Sequence, residues 1–215
     1  MRSNGTTFFL SNYMSNKAEN TVPEQHEGAE TNTESVETFG NVEEAKAFYQ
    51  VVRNRLVNVN AWHDYAGTGT ADFQLTDASG NEVTRMAQKG DHFKIDIPGP
   101  GSVTGEGYDW VQIEEIVEDG DEHTDSIAIR VRPASNPRNE KSDVAHFFTN
   151  AATSNFIVKR EGTKVSAAVR GRNEKPNTEA EAVIDKARNT AVATGAITGF
   201  SNYQWKSLVT GLLKH

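Results

Sequence analysis

The stretch of the chain that most invites a chemical reading is IDIPGPGSVTGEGYDWVQIEEI, residues 95–116. Glycine-rich turns bare backbone N–H groups and can cradle a phosphate. The surrounding residues argue against that use. No lysine stands in the stretch, and a P-loop needs one after its last glycine. A dinucleotide fingerprint opening at Gly99 and Gly101 needs a third glycine where Thr104 stands. The next residues, YDWVQIEEI, alternate like a strand instead of opening a helix. Asp96, Glu106 and Asp109 would repel phosphate, and the spacing of a calcium loop is absent. The stretch therefore reads as a wide connection between two strands. Tyr108 and Trp110 form an aromatic ledge beside it, where a ligand or partner is expected.

The other reactive side chains are scattered. His63, His92 and His123 each adjoin an acid, but neighbours on a strand point to opposite faces. No H-x-H or H-E-x-x-H spacing exists, so no metal site is expected. The nucleophile pattern G-x-S-x-G is missing, and no catalytic residue is assigned. Trp62, His63 and Tyr65 cluster just after the first helix, and they are expected near the mouth of any cavity between helix and sheet. Arg130 and Arg132 share one strand face, as do Arg170 and Arg172. These four are the expected anion- or partner-binding patch.

Charge is unevenly spread. Residues 1–40 carry two basic and six acidic side chains, residues 41–129 six and seventeen, and residues 130–215 fourteen and seven. An acidic middle and a basic end either neutralise one another in the fold or leave a basic face for an acidic partner. With a net charge of −8, nucleic acid is not an expected partner.

The elements that must hold these groups emerge from periodicity. Residues 1–40 hold few large apolar side chains and are expected to be a flexible acidic tail. A helix is predicted from about 41 to 60. Asn41 caps it, Glu44 stands at the capping-box position, and Ala45, Phe48, Val52, Leu56 and Val59 form its stripe. Period-two segments come next at TADFQLTD, HFKIDI, YDWVQIEEIVED, SIAIRVR, VAHFF and the hairpin NFIVKREGTKVSAAVRGR. Two helices close the chain. The first is capped by Thr178 and Glu181. The second starts at Ser201, with Gln204 as capping-box residue and Trp205, Leu208, Val209 and Leu212 inward. The fold class is α+β: a curled antiparallel sheet or small barrel of about six strands, with one helix before it and two after it, forming one domain over 41–215.

The chain has no cysteine, so disulfides and thiolate metal sites are excluded. No long apolar run exists, no membrane span is expected, and a cytoplasmic location without cofactors is the default expectation. The order of elements resembles the START-like helix-grip proteins, in which a curved antiparallel sheet wraps a long C-terminal helix around an apolar cavity. Two departures stand against it: no evident strand precedes the first helix, and the C-terminal helix is interrupted at 195–199. Two functions compete. One is a binding or interaction protein whose basic strand face and last helix meet an unidentified protein partner. The other is a helix-grip carrier or enzyme for a small apolar ligand. A cavity of roughly 300 Å³ under the last helix would favour the carrier. An exposed apolar patch on that helix would favour the interaction protein. Convergence of histidine and carboxylate would favour an enzyme.

Overall fold

The computed structural model describes residues 17–97, 102–139, 143–178 and 197–215. Its frame is a seven-stranded antiparallel sheet with β1 (Ala29–Thr38), β2 (Asp72–Thr76), β3 (His92–Asp96), β4 (Asp109–Gly120), β5 (Thr124–Pro133), β6 (Thr153–Glu161) and β7 (Lys164–Glu174). The strands lie in the order β1-β7-β6-β5-β4-β3-β2, so the first two strands of the chain form the two edges. Three helices accompany them: α1 (Val42–Val57), the short α2 (Trp62–Ala66) and α3 (Ile197–Leu212). The α+β class and the curled sheet agree with the sequence reading; the sheet is open and has one strand more than expected. Among the described residues, no helix is long and apolar enough to cross a membrane.

The concave face of the sheet carries the core. Phe73, Leu75, Phe93, Ile95, Val111, Ile113, Ile127, Ile129, Val131, Phe156, Val158, Val165, Ala167 and Val169 are buried there in strict alternation along their strands. Helix α1 lays Ala45, Phe48, Tyr49, Val52 and Leu56 on this face, and α3 adds Leu208, Val209 and Leu212. The predicted cap is present: the Asn41 side chain accepts from the Glu44 N–H at 2.8 Å. Trp62 is wholly buried, donates its indole N–H to the Leu56 carbonyl at 3.0 Å, and meets the rings of Phe73, Phe93 and Phe156.

The main departure from the sequence reading lies in residues 17–40. The part of the expected tail that is described is ordered, whereas residues 1–16 lie outside the described residues. Residues 29–38, AETNTESVET, form edge strand β1 and pair with β7 from Ala29↔Glu174 to Thr38↔Lys164. Composition misled because an edge strand can be held by backbone pairing alone. β1 buries no side chain, and Val36 remains 52% exposed. Residues 17–28 lie on the convex face, where Ala18 and Val22 pack against Ala128, Ile157 and Ala168. The presence of β1 removes one departure from the helix-grip order. The second is also reduced, since α3 runs unbroken from Ile197 through Gly199. The predicted helix after Thr178, with Glu181, lies outside the described residues. VAHFF forms no strand; its Phe148 makes an isolated bridge to Pro176.

One irregularity in the sheet governs the site. Two steps along β1, from Ala29 to Thr31, face three along β7, from Glu174 to Gly171. The extra residue is accommodated by a bulge at Asn173, which adopts a left-handed φ of 55°. Four hydrogen bonds to residues 24–27 hold it. Asn173 Oδ1 accepts from the N–H groups of His26 (2.7 Å) and Glu27 (3.1 Å), Nδ2 donates to the Glu24 carbonyl, and Gln25 Oε1 accepts from the Asn173 N–H. Asn173→Ala removes the side-chain bonds and leaves a Cβ residue in the left-handed region. The expected loss is about 3 kcal/mol in urea unfolding. Asn173→Gly, which loses the same bonds without the backbone cost, should lose about 1 kcal/mol less. Equal losses would show that backbone conformation is not part of the cost.

Candidate functional site

Alternation along β7 sends Val165, Ala167 and Val169 to the core, which would put residue 173 inward and Glu174 outward. The bulge reverses this. Glu174 turns into the concave side, is only 6% exposed, and helps to line an apolar cavity between the sheet and α3. Room for it comes from Gly171, where a Cβ would overlap the Glu174 Oε1 and the Thr31 Oγ1. The Thr31 hydroxyl donates to Glu174 Oε1 at 3.2 Å. Burial among apolar side chains raises the Glu174 carboxyl to about 7, with the Thr31 hydrogen bond and the Arg172 charge working against that rise.

The cavity walls come from the whole concave face. Phe73, Phe93, Val111, Val131 and Phe156 form the sheet side, Phe147 and Phe148 the loop side, and Trp205 the helix side. Its polar groups are few: Glu174, Gln204, His146 and Ser154. Gln204 is 3% exposed; its Oε1 accepts from the Ala71 N–H at 2.7 Å, and its Nε2 is buried without a hydrogen-bond partner. His146 Nδ1 accepts from the Phe148 N–H at 3.0 Å, which fixes the neutral ring as the Nε2-protonated tautomer. Room for water-sized spheres amounts to about 50 Å³. That holds a few waters or a small group; it falls below the roughly 150 Å³ that takes benzene in an engineered cavity, and well short of the roughly 300 Å³ expected of a carrier. A histidine and a carboxylate do share this space. Among the described residues, no group of three or more histidine, aspartate or glutamate side chains is placed to hold a metal.

None of the residues that the sequence singled out lines the described walls of this cavity. Trp62 stands behind Phe73, Phe93 and Phe156 in the core. His63 lies at the surface with Nδ1 3.0 Å from Asp72 Oδ1, and Tyr65 packs under the Arg55 guanidinium. Trp110 is buried and donates its indole N–H to the Gly105 carbonyl, so it forms no exposed ledge. Tyr108 borders a separate surface groove, with Lys94 Nζ 4.4 Å from its ring centre. The stretch around them is a strand-to-strand connection, as expected. Gly105 is needed because a Cβ there would overlap the Tyr108 carbonyl.

The four arginines do share the convex face, yet each is paired. Arg130 and Arg132 converge on Glu114, and Arg130 also meets Glu115. Arg170 meets Glu34 at 2.6 Å, and Arg172 meets Glu30 at 3.3 Å. Burial opposes ionisation of Glu114, but Arg132 and Arg130 together hold its carboxyl below the usual range. The basic end is thus met in part by Glu114 and Glu115 of the acidic middle and in part by Glu30 and Glu34 of the first forty residues. The apolar stripe of α3 is likewise engaged: Leu208, Val209 and Leu212 are buried, and Tyr203 is the exposed large hydrophobic side chain among its described residues.

Sequence reasoning missed Glu174, Gln204, His146, Ser154 and Thr31 as site residues. Its spacing assigns Gln204 to the cap of a helix starting at Ser201; the chain is already helical at Ile197, and the side chain reaches the Ala71 N–H just before β2.

No protein-family model matches the chain, and no curated protein matches it. Among solved structures, a hypothetical protein from Helicobacter pylori is similar over 99% of this chain and 97% of its own, at 12% identity and a TM-score of 0.49. Truncated norcoclaurine synthase from Thalictrum flavum is similar over 90% of this chain and 99% of its own, at 9% identity and a TM-score of 0.39. Ara h 8.0201 is similar over 87% of this chain and 100% of its own, at 9% identity and a TM-score of 0.36. These are likenesses of outline, and the cavity itself carries the functional reading.

The raised carboxyl makes a prediction with a definite sign. Between its ordinary 4.5 and about 7, the folded protein holds a proton that the unfolded chain has released. The Glu174 contribution to stability is therefore fully present below 4.5 and falls as pH rises towards 7, by about 3 kcal/mol in all. Glu174→Gln should remove that fall. Measured by urea unfolding, the variant should gain on the wild type between pH 5 and pH 8; a constant difference would refute the assignment.

Proposed function

We propose that the protein is a binding protein for a small, mostly apolar molecule, which enters the cavity between the concave sheet face and α3. The observation that carries this reading is an apolar cavity into which a sheet bulge turns one buried carboxyl. A carboxyl in such a place costs stability, because burial among apolar side chains disfavours its charge. The competing reading, a protein partner bound through the arginine face and the last helix, loses support because those arginines are paired and the helix stripe is buried.

The cavity volume limits the ligand. A group of a few heavy atoms fits as the walls stand. A larger molecule requires Phe147 and Phe148 to move. These lie between β5 and β6 within residues 143–152, which form no helix or named strand and are tied by the Thr149 N–H to Lys175 and by the Asn177 N–H to Phe147. Such a wall can shift without breaking the sheet ladder.

Titration of the isotope-labelled protein with small cyclic hydrocarbons tests the proposal. The Trp205 indole resonance should move, while that of Trp110, on the far side of β4, should stay in place. Ser154→Phe, which fills the cavity from β6, should weaken binding at least tenfold with the circular-dichroism spectrum unchanged. If no apolar probe moves Trp205, the proposal fails.

A further inference from the structure

We propose that the ligand is a small alkylamine, held as its ammonium ion between the Glu174 carboxylate and the Ser154 hydroxyl, with its alkyl part against the apolar walls. This assignment rests on the reading of the cavity as a ligand site and narrows it to small organic cations.

The sheet register brings the two anchors together. Thr31 of β1 and Ser154 of β6 both stand directly opposite Gly171 of β7, one on each side of it. Gly171 has no side chain, and the Glu174 carboxyl takes that space: a Cβ on Gly171 would overlap Glu174 Oε1. Directly opposed residues hold their Cβ atoms about 4.5–5.5 Å apart, so the Ser154 Cβ stands within about 8 Å of that oxygen. A single nitrogen donating to both side chains, through bonds of about 2.7–2.9 Å, spans that distance. Both residues line the cavity. Among the described residues the one hydrogen bond to the carboxyl comes from Thr31, on Oε1, which leaves Oε2 for a ligand.

Charge selects the cation. An anion meets like charge on Glu174. An uncharged apolar molecule leaves the carboxylate uncompensated among apolar side chains, which is costly. An alcohol can bond to the same oxygens but does not neutralise the charge. An ammonium does both, because each of its N–H groups donates and it carries the opposite charge. The aromatic residues Phe73, Phe93, Phe147, Phe148, Phe156 and Trp205 line the cavity, and aromatic rings attract cations. Size sets the second limit. A water-sized group needs about 10–15 Å³, so about 50 Å³ takes a molecule of two or three heavy atoms. The other charged or titratable groups around Glu174 are Arg172 on its own strand, which pairs with Glu30 of β1, Lys175, which pairs with Glu27, and His146 of the connection before β6. The residues that face it from β6 and α3, Ser154, Gln204 and Trp205, carry no charge.

The experiment titrates the isotope-labelled full chain with methylammonium chloride, methanol and xenon at pH 6 and pH 8 and constant ionic strength, following the backbone resonances of Ser154 and Glu174. An alkylamine titrates like lysine, at roughly 10.4, so methylammonium keeps its charge at both pH values. Its binding displaces the proton from a carboxyl that titrates at about 7. It should therefore bind about tenfold more tightly at pH 8 than at pH 6. Methanol, of the same size and uncharged, should show no such gain. Glu174→Gln should remove the gain and weaken methylammonium at pH 8 at least tenfold. Ser154→Ala should weaken it about three- to tenfold while keeping the gain, and it carries the test if Glu174→Gln does not fold. Equal methylammonium affinity at both pH values would overturn the inference, as would undiminished binding by either variant. Xenon binding without methylammonium binding would sink the amine and leave the ligand site standing. If none of the three binds, both fall.

Discussion

The left-handed bulge at Asn173 is the constraint on which the site depends. A regular β7 would send Glu174 to the convex face among the arginines and leave the cavity with little polar character. The bulge requires a left-handed residue, and Asn tolerates that conformation better than most because its short amide bonds locally. Here the amide bonds to residues 24–27, so the same contact that fixes the bulge also ties the segment preceding β1 to the sheet. Gly171 and Thr31 complete the arrangement, one by having no side chain and the other by donating to the carboxyl.

Around this point the fold is ordinary in its energetics. The concave face buries aliphatic and aromatic side chains against α1 and α3, each worth about 1.5–3 kcal/mol on leaving water. Trp62, Phe73, Phe93 and Phe156 form a stiff aromatic floor beneath the cavity, and Trp205 of α3 meets Phe156 and Phe73 from the helix side. Such rings resist collapse into a small void, because their shape changes only by whole-ring movement. One group departs from this pattern. Arg160 is fully buried and pairs with Asp125, and its Nη2, like the buried Tyr49 hydroxyl, has no hydrogen-bond partner. Burial pushes the Tyr49 phenol well above its usual range, so it stays protonated.

The convex face solves a different problem. Strands with alternating charge present arginines to solvent, and each is met by a glutamate from a neighbouring strand. Surface pairs of this kind contribute only about 0–1 kcal/mol each. Their larger effect is on register: a one-residue slip of β1 against β7 would separate Glu34 from Arg170 and Glu30 from Arg172. For β1, which buries no side chain, this pairing supplies the register information that a hydrophobic face supplies elsewhere.

The sequence by itself determined the period-two segments that became β2 to β7, the capped first helix and the buried stripe of the last one. These rest on local periodicity and capping, which neighbouring residues decide. It also determined that charge would be divided between the middle and end of the chain. Only the tertiary structure decided that AETNTESVET is a strand, since its stability comes from pairing with β7 more than a hundred residues away. The site was illegible for the same reason. Glu174 faces inward because of a bulge held by residues 24–27, and Gln204 matters because Ala71 fixes one end of its amide. The aromatics that drew attention in the sequence, Trp62 and Trp110, went to the interior, where large rings gain most from burial. The polar groups with unmet hydrogen-bonding capacity came from positions whose types and spacing carried no signal.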